Sequence, residues 1–118
     1  MKLETPYVSV DEFDGQYFQV SFNTEDPGAD VDLSGSIKPY LLIQRQFEDS
    51  DGGVCYLETH DRDRFAGHFR LCLVEFSPTR LVFEIDRPTD RRVEVTFALD
   101  PLRFQEVERM VCLIFGGR

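Results

Sequence analysis

Three apolar-rich segments fill most of the last half of the chain: GHFRLCLVEF (67–76), RLVFEID (80–86) and RRVEVTF (91–97). Only Ser77-Pro78-Thr79 and Arg87-Pro88-Thr89-Asp90 separate them, and both are turn-forming runs. Connections this short cannot carry the crossover that parallel strands need, so the three segments are expected as antiparallel neighbours in one sheet. Val93, Val95 and Phe97 fall on one face and Arg92, Glu94 and Thr96 on the other, which predicts a sheet with one dry and one wet side. In FRLCLVEF both parities are apolar. That pattern calls for either a doubly covered central strand or a β-bulge.

The same alternation extends upstream. YVSVDEF (7–13) and QYFQVSF (16–22) flank Asp14-Gly15, a two-residue hairpin signal. YLLIQRQF (40–47) and VCYLETH (54–60) flank the turn cluster EDSDGG and form a second predicted hairpin. Between the hairpins, NTEDPGADVDLSGS reads as a long exposed loop, a kind of segment that often carries function.

One helix follows the strands. Asp100 suits the N-cap, and Pro101 suits the first helical position because its missing N–H has no partner to lose there. Phe104, Val107, Val111 and Ile114 make an apolar stripe with Met110 and Phe115 at its margins, and Gly116-Gly117 can end the helix. Leu102, Glu106, Arg109 and Leu113 share the opposite side. The expected fold is α+β: one domain over 1–118, a mostly antiparallel sheet of about seven strands with one C-terminal helix packed on one face.

At 118 residues the chain has room for one core, and eleven Phe supply packing bulk in the absence of Trp. No apolar run approaches the roughly 18 residues of a membrane span. MKLETPYVSV lacks the basic start and apolar stretch of a secretory signal, so a soluble cytoplasmic protein is expected.

The net charge of −9 is unevenly distributed. Residues 1–61 hold thirteen Asp and Glu against Lys2, Lys38 and Arg45, or −10; residues 62–118 hold nine acids against ten Arg, or +1. Such a field repels phosphates and attracts cationic partners, which disfavours nucleic acid as a ligand.

The stretch ETHDRDRFAGHFR places His60 and His68 either side of a loop containing Asp61 and Asp63. Pairing of the flanking strands would bring the two imidazoles together at the loop mouth, where they could hold zinc. The spacing is unspecific, however, and Arg62 and Arg64 would repel a cation, so a plain hairpin loop is the expected reading and no metal or cofactor is assigned. DVDLSGSIKPYL (30–41) mimics the start of a calcium loop but ends in Leu41, where a bidentate Glu is required. Cys55, Cys72 and Cys112 show no CxxC spacing and are expected as reduced, buried, small hydrophobes. Glu75, Glu84 and Glu94 share their strands with Arg70, Arg80 and Arg92, which predicts cross-strand ion pairs rather than a catalytic acid pair. No nucleophile elbow, metalloprotease helix or phosphate-binding loop is present in the sequence.

CYLETHDRDRFAGHFRLCLVEFSPTRLVFEI followed by VEVTFALDPLRFQEVERMVCLIF resembles the immunity protein 10 family of bacterial polymorphic-toxin systems. The matching positions are Tyr56, Leu57 and Glu58, then Gly67, then Ser77, Arg80 and Leu81, then Phe97, Leu99 and Asp100, over roughly the C-terminal 65 residues. These are fold-making residues rather than catalytic signatures. The resemblance implies a non-enzymatic cytoplasmic antidote that binds and neutralises a cognate toxin domain. A basic toxin domain suits the acidic composition, with Glu25, Asp26, Asp30 and Asp32 of the long loop and Asp49 and Asp51 of the second hairpin as rim charges and Tyr40 as an exposed anchor. The alternatives are a metal-binding or hydrolytic domain built on His60 and His68, and a structural or oligomerising domain.

Overall fold

In a computed structural model, which describes residues 1–13, 17–24, 39–46 and 54–115, the alternating segments become strands and the apolar stripe becomes a helix. Among those residues the sheet has eight strands. They are β1 (Lys2–Glu4), β2 (Tyr7–Phe13), β3 (Tyr17–Asn23), β4 (Tyr40–Gln46), β5 (Val54–Thr59), β6 (Ala66–Ser77), β7 (Arg80–Ile85) and β8 (Arg92–Thr96), followed by α1 (Pro101–Ile114). The Asp14-Gly15 turn, most of the long loop, the EDSDGG turn and the Gly116-Gly117 stop lie outside the described residues.

β2 through β8 form an antiparallel meander in chain order, and β1 pairs parallel to β8 at its far side. The expected strand count of about seven is therefore one short. The strand it misses is β1, whose three residues are too few to show a period.

β1 also determines the shape of the sheet. In a flat eight-stranded sheet the outer strands lie about 34 Å apart at a spacing of ~4.8 Å. Here only Thr5 and Pro6 separate β1 from β2, and three Cα steps reach at most about 11 Å. The sheet must therefore curl until its two edges nearly meet. β1 and β2 run in the same direction and are two halves of one extended segment, which pairs first with β8 and then with β3. The switch falls where Pro6 has no N–H to give a ladder. Thr5, buried beside it, donates its N–H to Thr96 O at 2.9 Å, and Thr96 Oγ1 donates back to Leu3 O at 3.3 Å.

The concave face is the core. Val20, Phe22, Leu41, Ile43, Leu57, Leu81, Phe83, Ile85, Val93 and Val95 are all fully buried there, as the alternation predicts. α1 lies against β2, β3 and β4 and adds Val107, Met110, Val111 and Ile114 to the same cluster. Met110, expected at the margin of the stripe, is in fact buried in it. Phe104 stacks on Phe76 with ring centroids 5.2 Å apart.

Asp100 caps the helix, accepting from Arg103 N at 2.8 Å. At the other end Arg45 Nη1, on β4, donates to Leu113 O and Ile114 O at 3.3 Å each. A cation from the sheet thus satisfies the unpaired carbonyls and the negative end of the helix, whose own last turn has no base.

β6 carries the expected irregularity as a bulge. Its register with β7 shifts between Leu73 and Glu75, so Leu71 and Leu73 face inward before the bulge and Phe76 packs inward after it. Val74 and Cys72 are left outside. Cys72 is therefore exposed, against expectation, whereas Cys55 is buried and Cys112 half-buried.

Candidate functional site

Of the residues expected to contact a partner, Glu25, Asp26, Asp30, Asp32, Asp49 and Asp51 lie outside the described residues. Their flanks are described. Thr24 Oγ1 donates to Pro39 O at 3.1 Å, closing the base of segment 25–38 beside the start of β4. Segment 47–53 leaves from Gln46 and re-enters at Val54, at the other end of β4. Seven strand residues span about 20 Å, so Pro39 and Gln46, the described residues next to those segments, lie at opposite ends of one strand.

Tyr40 is described, and it is half-buried rather than exposed. Alternation places it on the outer, convex face with Leu42 and Gln44, and pairing of β4 with β5 sets Leu42 opposite Glu58 and Gln44 opposite Tyr56. Tyr40 Oη donates to Glu58 Oε2 at 2.8 Å, and Tyr56 Oη donates to Glu58 Oε1 at 2.7 Å. One carboxylate thus joins two phenols, one diagonal across the strands and one two residues back on its own strand. Arg62 Nη2 donates to Tyr40 Oη at 3.3 Å and stands 3.9 Å from Glu58 Oε2.

Electrostatics divide the roles within this cluster. The hydrogen bonds from Tyr56 and then Tyr40 hold the Glu58 carboxyl below the usual carboxylate range. Burial and the Glu58 contact raise the Tyr40 phenol, and the hydrogen bond to Glu58 does most to raise Tyr56. Near neutral pH Glu58 is an anion and both tyrosines are protonated donors. The cluster thus presents an ionised acceptor with two neutral hydroxyl donors fixed on it. Gln44 Nε2 extends the polar face by donating to Gln19 Oε1 at 2.6 Å.

His60 and His68 do not meet at the loop mouth. β6 pairs with β5 so that His68 lies opposite Tyr56, four residues before His60 and about 13 Å from it along the strand. The hairpin closes earlier than expected. His60 Nδ1 accepts from Tyr40 N at 3.4 Å, and the His68 ring packs tilted on Tyr56 at 5.3 Å. Among the described residues no group of three or more His, Cys, Asp or Glu is arranged to hold a metal ion.

The loop between β5 and β6 is tied down from within. Thr59 Oγ1 donates to Phe65 O at 3.0 Å, Arg64 binds Asp61 at 3.0 Å, and Arg87 stacks over the rings of Phe65 and Phe69 at 4.8 and 5.1 Å. Farther round the outer face, Arg80 bridges Glu75 at 3.4 Å and Glu94 at 3.1 Å, and Arg92 reaches Glu94 at 2.9 Å. The two Arg80 contacts are the cross-strand pairs expected of that acid cluster, whereas Arg92 reaches Glu94 along its own strand and Glu84 takes no part.

Tyr56, Glu58 and Arg62 join Tyr40 in a cluster that sequence reading did not assemble. YLET places Tyr56 and Glu58 on one face, but bringing Tyr40 to them requires the register of two strands fourteen positions apart. No protein-family model and no curated protein matches this chain.

Proposed function

We propose that this chain is a non-enzymatic binding protein that neutralises a cognate basic toxin domain in the cytoplasm, engaging it through the acidic first half of the chain and the adjoining tyrosine face. The observation that carries this reading is the division of charge, −10 over residues 1–61 against +1 over residues 62–118. Among the described residues, Arg80, Arg92 and Arg103 pair with Glu75, Glu94 and Glu106 of their own half, and Arg45 of the first half turns to the helix carbonyls. Arg109 to Glu12, Arg62 to Glu58 and Arg64 to Asp61 reach back to three of the five first-half acids among the described residues. A field of one sign accelerates encounter with a cationic partner and rejects nucleic acid. Tyrosines at its border supply rigid amphipathic contact area at low entropic cost.

The alternative built on His60 and His68 draws no support from two imidazoles engaged separately along the strands.

The test is protection. The gene immediately upstream is expected to encode a secreted protein whose C-terminal domain is the toxin; the chain is co-expressed with that domain, and growth is followed. Growth is expected with the wild-type chain and arrest with a variant carrying Glu25→Gln, Asp26→Asn, Asp30→Asn and Asp32→Asn. Arrest in both cases contradicts the antidote role, and full protection by the variant contradicts the acidic surface.

A further inference from the structure

Glu58 retains acceptor capacity beyond its two phenols. A carboxylate offers about four lone-pair sites, and Tyr56 and Tyr40 take one on each oxygen. Arg62 has come close to the remainder without taking it. Its Nη2 stands 3.9 Å from Oε2, past hydrogen-bond distance, while bonding Tyr40 Oη at 3.3 Å. The Arg62 side chain is 67% exposed and that of Glu58 26%. A guanidinium therefore stands beside a carboxylate whose two oxygens are each held by a phenol hydroxyl.

We propose that Glu58, framed by Tyr40 and Tyr56, is a seat for an arginine side chain of a protein partner, and that Arg62 is a stand-in which the partner's arginine displaces. This rests on reading the chain as a binder of a cationic protein, and it adds which side chain is recognised and what competes for it. Arginine fits better than lysine for two reasons. Its planar fork matches the two free lone pairs of the carboxylate, and its face stacks on a phenol ring, whereas an ammonium is a hydrated point charge. The seat lies beside Pro39, whose carbonyl accepts from Thr24 Oγ1 at 3.1 Å.

The test needs no toxin. The peptide Ac-Gly-Arg-Gly-Arg-Gly-NH2 and its lysine counterpart are titrated into the full chain at low salt, with binding followed by amide chemical shifts. The arginine peptide is expected to bind more tightly and to shift Tyr40, Tyr56 and Glu58. Glu58→Gln should weaken it about tenfold. Glu58→Asp keeps the charge but draws the carboxylate back one methylene, and should weaken it severalfold. Arg62→Ala should strengthen it about threefold by removing the internal competitor.

A cluster that is only structural predicts that Arg62→Ala strengthens the arginine and lysine peptides alike, because loss of a positive neighbour favours any cation, whereas loss of a competitor for the fork favours arginine over lysine. An equal gain for the two peptides overturns the proposal. Unchanged or weaker binding by Arg62→Ala overturns the proposal, as does wild-type affinity in Glu58→Asp. Peptide binding that behaves as expected in a chain that protects against no toxin would leave the seat standing and sink only the antidote role.

Discussion

Two glutamates on the outer face are held by the same geometry and different donors. Glu58 on β5 is bonded by Tyr56, two residues back on its own strand, and by Tyr40, diagonal on the neighbouring strand. Glu94 on β8 is bonded by Arg92, two residues back, and by Arg80, diagonal on β7. Directly across from Glu58 lies Leu42, and directly across from Glu94 lies Val82. Both carboxyls are pushed below the usual range, Glu58 by phenols and Glu94 chiefly by Arg92 and Arg80. The arginines carry charge and neutralise their glutamate. The phenols carry none, so they fix their glutamate in place, and the only charge set against it among the described residues is Arg62, 3.9 Å from Oε2 and past hydrogen-bond distance. The sheet thus has one outer glutamate bonded directly by two guanidiniums and another bonded by phenols with a single guanidinium standing off.

The largest expected effect lies beneath the carboxylates. Val82 is 1% exposed although it faces outward, whereas Leu42 is half-exposed. Val82→Ala should cost about 2 kcal/mol in urea unfolding and Leu42→Ala about half that, despite removing the larger side chain. Equal losses would mean that the ion-pair region covers its floor no better than the tyrosine region does.

Acid comes next. Both glutamates have folded values below their unfolded ones, so each contributes stability above about pH 4.3 that is lost as pH falls through the lowered folded value. Glu58→Gln should flatten this acid limb by under about 1 kcal/mol, discounted for its exposure to solvent. Glu94→Gln should flatten it in the same direction. Urea midpoints at pH 7 and pH 3 read the difference, and a steeper acid limb in either variant contradicts the assignment.

The smallest effect separates the donors most cleanly. Double-mutant cycles on Arg80 with Glu94, and on Tyr40→Phe with Glu58→Gln, are compared at low salt and at 1 M. The first coupling should fall with salt and the second should persist, since a neutral phenol has no charge to screen. Parallel loss of both would erase the distinction.

Much of this was legible in the chain. Alternation in RRVEVTF puts Val93, Val95 and Phe97 on the dry face, and Asp100-Pro101 marks the helix start. The doubled apolar parity of FRLCLVEF anticipated the bulge, though not that it would turn Cys72 outward. What escaped was anything set by contacts distant in sequence. β1 acquires its identity from β8, some ninety residues away, and with it the curl of the sheet. Turn formers alone put His68 at the loop mouth, whereas register is decided by which faces must be buried, and it sets His68 opposite Tyr56. The Tyr40–Glu58 contact failed to appear for the same reason.

The account depends on a first half whose carboxylates remain free to attract a cationic protein. The most direct measurement is the affinity of the chain for the proposed cationic toxin domain between about 50 and 500 mM salt, for wild type and for the variant with Glu25, Asp26, Asp30 and Asp32 neutralised, a range that spans the screening lengths. Wild-type affinity should fall at least about tenfold across the series, and the neutralised variant should bind more weakly with a shallower salt slope. Tight wild-type binding that ignores salt, with the variant indistinguishable from it, would contradict the account.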